Sequence, residues 1–203
     1  AHAAEWFVSH WWGEPVLAFV RCLSAHRRDF QPVEGSRYWI CAYANNQSRI
    51  AAELGDQGPL SSPFFKALEL AIGAVLVVDS DSVVTTRMWC GFENVVIARK
   101  HKRLAMASAC GKTAHVLALE PLPIDSETDP QRPAEAQAAR QRKFPAERLL
   151  QFLDTKLENA EASCPLDKTM IESVVEHEFG GFSEANSSLR MIAATNMFAL
   201  GQV

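Results

Sequence analysis

Three short, unbroken apolar runs separated by amphipathic stretches constrain this chain more than any other feature. They are "EWFVS" (Glu5 to Ser9), "RYWICAY" (Arg37 to Tyr43) and "AVLVVDS" (Ala74 to Ser80). A strand with one solvated face alternates apolar and polar residues, whereas a strand covered by helices on both faces reads as a continuous run. The intervening segments supply those helices. After the first run Val16, Phe19, Val20 and Leu23 fall at i, i+3, i+4 and i+7, behind Pro15 at the helix start. In "SSPFFKALELAI", Ser62 is placed as an N-cap and Pro63 at the first helical position, leading through Gly73 into the third strand. A helix over about Thr86 to His101 follows, then "RLAMA" and "AHVLALE" as fourth and fifth strands. The pattern predicts an α/β fold, a flavodoxin-like doubly wound parallel sheet of five strands with right-handed crossovers.

The pattern changes at "EPLPIDSETDPQRP" (Glu120 to Pro133), which is rich in proline and acids and lacks apolar periodicity. Residues 121–143 therefore read as a linker or long surface loop. Beyond it Leu149, Leu150, Leu153 and Leu157 mark one helix, Met170, Ile171, Val174 and Val175 a second, and Leu189, Ile192 and Ala193 a third. The expected organisation is one α/β domain over 1–160 and a helical extension over 161–203.

Several function classes lose support at this level. A net charge of -4 gives no broad basic field for nucleic acid. The longest apolar run, "AIGAVLVV", is far short of the roughly 20 residues that cross a bilayer. Five scattered cysteines without a C-x-x-C pair argue against a disulfide framework and a structural zinc site. No metal is expected, and a reducing, cytoplasmic setting fits best. No basic-then-apolar leader opens the sequence at Ala1.

In open α/β sheets ligands sit at the carboxyl ends of the strands, so the loops "SHWWGE", "ANNQS" and "DSDSVVTTR" carry most weight. Neither a G-x-G-x-x-G nor a P-loop pattern is present, which excludes the usual dinucleotide and nucleoside triphosphate cradles. Glu93 is the leading candidate for a reacting group. It shares a helix face with Trp89, Cys90 and Ile97, apolar surroundings that raise a carboxylate's pKa. On spacing alone it also reads as an ordinary solvated or ion-paired helix glutamate, and Trp89 as an indole packed on the sheet. Trp11 and Trp12 are adjacent in a loop and do not both point into one core, so one is expected to be partly exposed. Ser9 and His10 are neighbours on a strand and face opposite ways, which disfavours a nucleophile–base dyad. Asp79 and Asp81 are expected to cap helix amides rather than bind magnesium. "ARKHKR" (Ala98 to Arg103) reads as a solvated helix end.

Three of these stretches share a resemblance. "FVSHWWGE" resembles the first-strand motif of Toll/interleukin-1 receptor (TIR) domains, "FFKALELAIGAVLVVDSD" is similar to a later helix and strand of that family, and "RMWCGFENVVIA" resembles its W-C-x-x-E helix. Order and spacing agree over about Glu5 to Glu120, with a plausible last family helix at Phe144 to Leu157. The resemblance implies self-association in signalling assemblies and, in a subset of members, cleavage of NAD at its nicotinamide–ribose bond. It assigns the catalytic carboxylate to Glu93. Ser9, His10, Trp11, Trp12, Gly13, Asn45 and Trp89 become expected substrate contacts, with NAD as substrate rather than cofactor. The competing expectation is a non-enzymatic TIR-like scaffold that binds protein through its loops and added helices. Two departures bear on the choice: a tryptophan pair stands where smaller or basic residues are expected, and the stretch from Ala44 to Ser62 is long and unfamiliar. Gly91, inside the key helix, costs about 1 kcal/mol relative to alanine and points to close packing or ligand approach.

Overall fold

The computed structural model describes residues 4–30, 35–45, 48, 58–117 and 144–199. The expected linker at 121–143 and most of the Ala44 to Ser62 stretch lie outside the described residues. Within them the strands are β1 (Trp6–Ser9), β2 (Tyr38–Ile40), β3 (Gly73–Val78), β4 (Arg103–Ser108) and β5 (Thr113–Leu117). The helices are α1 (Val16–Phe30), α2 (Cys41–Ala44), α3 (Pro63–Leu70), α4 (Met88–Arg99), α5 (Ala146–Asp154), α6 (Pro165–Glu178) and α7 (Gly181–Ala199).

The five strands form one sheet in the order β2-β1-β3-β4-β5. β1 pairs in parallel with β2 and β3, and β3 with β4, as continuous apolar runs demand. β5 departs from the all-parallel expectation and runs antiparallel to β4. The reason lies in the connection. A parallel return needs a crossover of a dozen or more residues. Here β4 turns straight into β5, with Ser108 and Lys112 closing the turn through a 2.8 Å backbone bond and through the Ser108 hydroxyl.

Two clusters sandwich the sheet. On one face Trp6, Val8, Val75, Val77 and Ala107 pack under Phe19 and Cys22 of α1. The α1 stripe is rotated from the expected one: Phe19, Cys22, Ala25, His26 and Phe30 are buried, while Val16 and Val20 are exposed. The inward turn of His26 accounts for this. Its Nδ1 lies 2.8 Å from the Tyr38 hydroxyl, and its ring packs against Trp6 and Phe30.

On the other face Phe7, Leu76 and Val78 meet α4, whose Cys90 to Ala98 stretch is buried throughout, as befits a helix apolar on every side. The C-terminal helices complete this burial: Ile171, Val175, Ala185, Leu189, Ile192 and Ala193 belong to the same cluster as the sheet. Backbone bonds from Met88 N–H to the Glu161 carbonyl and from Glu161 N–H to the Thr86 carbonyl, each 2.8 Å, tie the start of α4 to residue 161. Gly91 is explained here. A Cβ on it would lie 2.5 Å from Cδ1 of fully buried Leu157, so the glycine admits close packing rather than a ligand.

α3 begins as expected. Ser62 Oγ accepts the Phe65 N–H at 3.2 Å, donates to the Pro59 carbonyl at 2.6 Å, and stands before Pro63 at the first helical position. Ser62→Ala is expected to cost about 1 kcal/mol in a urea unfolding experiment, the usual worth of such a cap.

Candidate functional site

The strand order reverses between β1 and β3, the place where open α/β sheets offer a crevice. Ser9 ends β1 there, fully buried, and its hydroxyl donates to Glu93 Oε2 on α4 at 2.5 Å. The contact joins residues 84 apart in sequence. It forms because Ser9 follows Phe7 on the face of β1 that α4 covers, and strand periodicity sends both side chains that way.

Glu93 is 6% exposed. Burial pushes its carboxyl up to about 8, against a smaller downward pull from the Ser9 hydrogen bond. Its ionisable neighbours follow the same logic. Burial pushes the Cys41 thiol up to about 12, with the Glu93 charge adding to the effect, and raises Cys90 well above the thiol range. Burial pushes His10 down to about 4. At neutral pH Glu93, Cys41, Cys90 and His10 are therefore all predominantly uncharged.

This pattern excludes some chemistries. His10 Nδ1 stands 3.8 Å from Cys41 Sγ, but a raised thiol beside a depressed imidazole does not give a thiolate–imidazolium pair. Ser9 gives its hydrogen bond to Glu93, which leaves no Ser–His dyad, as strand geometry predicts. Among the described residues no group of three or more His, Cys, Asp or Glu is arranged to hold a metal. At this strand end stands a buried carboxyl group, that of Glu93, held neutral by burial and hydrogen-bonded to Ser9.

The other expected contacts divide. The Trp11 indole folds back over Gly13, where a Cβ would collide with its six-membered ring. Trp12 is 47% exposed, and its Nε1 donates to Cys41 Sγ at 2.7 Å, which fixes the indole at the strand end. Asn45 is buried and turned on its own chain: its backbone N–H and Nδ2 both donate to the Cys41 carbonyl, stopping β2 short at Ile40 by closing α2. Trp89 stacks on Phe64, meets Phe92 edge-on and donates from Nε1 to Asp167 Oδ2 of α6 at 3.0 Å. Its indole braces α4 against the C-terminal helices.

Asp79 caps as expected: its carboxylate accepts the backbone N–H of Asp81, Val83 and Val84, each at 3.0 Å. Two residues went unread in the sequence. Cys41 lacks any motif and gains its place by accepting the Trp12 indole. Glu14 was visible only as the last residue of the "SHWWGE" loop. Both its carboxyl oxygens are buried without a hydrogen-bond partner among the described residues, and burial, helped by Asp79, pushes it up to about 7. An open groove of about 360 Å³ lies elsewhere, between Asp81–Thr86 and Gln151–Ala160, and its lining does not include Ser9, Glu93, Cys41 or Glu14.

No family model, curated protein or solved structure matches this chain.

Proposed function

We propose that the protein is a TIR-like NAD nucleosidase of flavodoxin-like fold that breaks the nicotinamide–ribose bond with Glu93 as its single catalytic carboxylate. The observation that carries the reading is the buried Ser9–Glu93 pair at the strand-order reversal. Nicotinamide in NAD is a cationic pyridinium, so it departs as a neutral base once the C1′–N bond breaks and takes the bonding pair. No general acid is required, unlike an ordinary glycoside. The site needs a negative charge beside the ribose as oxocarbenium character develops, and a carboxylate held in low dielectric supplies it.

Glu93 suits this in a particular way. It is neutral in the free protein and ionises as the cationic pyridinium ring of the substrate binds beside it, because an opposite charge nearby favours the charged form. Ser9 then holds one carboxylate oxygen and leaves the other for the ribose. Exposed Trp12 offers an indole face to a nicotinamide or adenine ring. Water, or an adenine nitrogen of the same nucleotide, captures C1′; with water the proton released passes to solvent and the product is ADP-ribose.

The test is NAD consumption by concentrated purified protein, with nicotinamide followed chromatographically. Steady release supports the reading. Its absence at high concentration and under crowding overturns it in favour of the non-enzymatic scaffold.

A further inference from the structure

The outward face of α1 differs from what a net-acidic chain leads one to expect. Leu17 is 75% exposed, with Val16 and Val20 exposed beside it. Trp12 stands exposed just ahead of the helix, and its hydrogen bond to Cys41 ties it to α2, whose Tyr43 is 69% exposed. Leu17, Val20, Arg21, Ser24, Arg27 and Arg28 succeed one another at helical spacing on the side opposite buried Phe19, Cys22 and His26.

Within α1 no exposed acid interrupts that stripe. Asp29 is the sole acidic residue of α1; its side chain is 2% exposed and takes up the Arg28 guanidinium and the Thr113 hydroxyl. Glu14, before the helix, is buried. Arg21 and Arg27 remain as outward cations beside an apolar tip, in a chain whose overall charge is -4.

We propose that this face docks the protein on an anionic lipid surface, with Val16, Leu17 and Val20 entering the headgroup boundary and Arg21 and Arg27 meeting lipid phosphates. Charge complementarity favours an anionic partner, and exposed Trp12 just ahead of the helix suits the membrane interface, where such rings settle. Three apolar side chains and a few arginines fall well short of the roughly 20–30 residues a side that stable protein interfaces use. No described helix is long and apolar enough to cross a membrane, and a patch of this size supports peripheral, reversible association.

The experiment is co-sedimentation with phosphatidylcholine vesicles made with and without phosphatidylserine, at low and high salt. The protein is expected to pellet with the phosphatidylserine vesicles at low salt, and about tenfold less with neutral vesicles or at high salt. Arg21→Glu with Arg27→Glu abolishes the preference for phosphatidylserine, and Leu17→Glu with Val20→Glu lowers binding to both vesicle types about tenfold. Unchanged thermal melting confirms that these exposed substitutions leave the fold intact. As a measurement free of charge variants, brominated lipid quenches the wild type more than Trp12→Phe. Failure to pellet with phosphatidylserine vesicles overturns the proposal, as does binding unaffected by both double variants. A change in oligomeric mass by light scattering without lipid binding overturns it in favour of a protein interface. None of these readouts depends on NAD turnover.

Discussion

Below about pH 8, kcat/KM for nicotinamide release is expected to climb about tenfold per pH unit, a gain of about 50-fold between pH 6 and 8 and about 100-fold by the plateau above it. The limb belongs to Glu93 in the free protein, where burial has pushed its carboxyl up to about 8. Only the ionised fraction has the charge that the developing oxocarbenium needs, and that fraction falls tenfold for each unit below the pKa. In the complex the cationic pyridinium favours ionisation, so the limb in kcat alone lies at lower pH than the limb in kcat/KM. Ser9→Ala shifts the limb to higher pH, because the Ser9 hydroxyl is what pulls the carboxyl down. Glu93→Gln keeps the shape and accepts the same hydrogen bond but carries no charge. Nicotinamide release in that variant stays at the uncatalysed background at every pH. The check is a series of pH–rate profiles for the three proteins. A flat wild-type profile from pH 6 to 9, or turnover in Glu93→Gln, removes Glu93 from the chemistry.

The strands and the acid were legible in the sequence because each is a local pattern. Continuous apolar runs announce buried strands, and the i−4, i−3 and i+4 spacing offered Glu93 an apolar setting beside a solvated one, a choice decided by its 6% exposure. Ser62 and Pro63 named a helix start because capping involves only neighbouring residues. What stayed hidden depends on distant partners. The Ser9 hydrogen bond to Glu93 spans the whole first half of the fold, and nothing near Ser9 marks its acceptor. The inward rotation of α1 is decided by His26 meeting Tyr38, Trp6 and Phe30, a tertiary choice that overrides the simpler Val16–Phe19–Val20–Leu23 stripe. The direction of β5 was readable in principle, since the few residues between it and β4 leave no room for a crossover; counting strands without weighing that connection produced the parallel expectation.

Trp89 has partners that residue type alone does not announce. A tryptophan one turn from the acid invites a stacking role, yet its indole N–H is taken by Asp167 and its face by Phe64. Gly91 and Leu157 fit together in the same way two residues later. The helices after residue 160 thus grip the helix that carries Glu93 along its length, down to Phe179, which stacks on Phe92 and accepts from Arg99.

The same buried carboxyl makes the folded protein sensitive to alkali. Glu93 has an ordinary value near 4.5 in the unfolded chain and about 8 in the folded one. A raised folded-state pKa means the native state holds the proton more tightly. Its contribution is complete below about pH 4.5 and is lost as pH rises to about 8, at about 1.4 kcal/mol per unit, or about 5 kcal/mol in all. Glu14, raised to about 7, acts in the same direction. His10, depressed to about 4, acts oppositely: its contribution is present above about 6.5 and is lost as pH falls through that window. The wild-type profile alone therefore mixes three groups, and the difference between wild type and Glu93→Gln isolates one. Urea midpoints are expected to coincide for the two proteins near pH 4.5 and to separate steadily above it, with Glu93→Gln the more stable by up to about 5 kcal/mol at pH 8. If the separation does not grow with pH, Glu93 ionises as readily in the folded protein as in the unfolded one, and the rate limb below pH 8 should move with it to near pH 4.5. Stability and rate thus read the same proton, one losing what the other gains as Glu93 becomes charged.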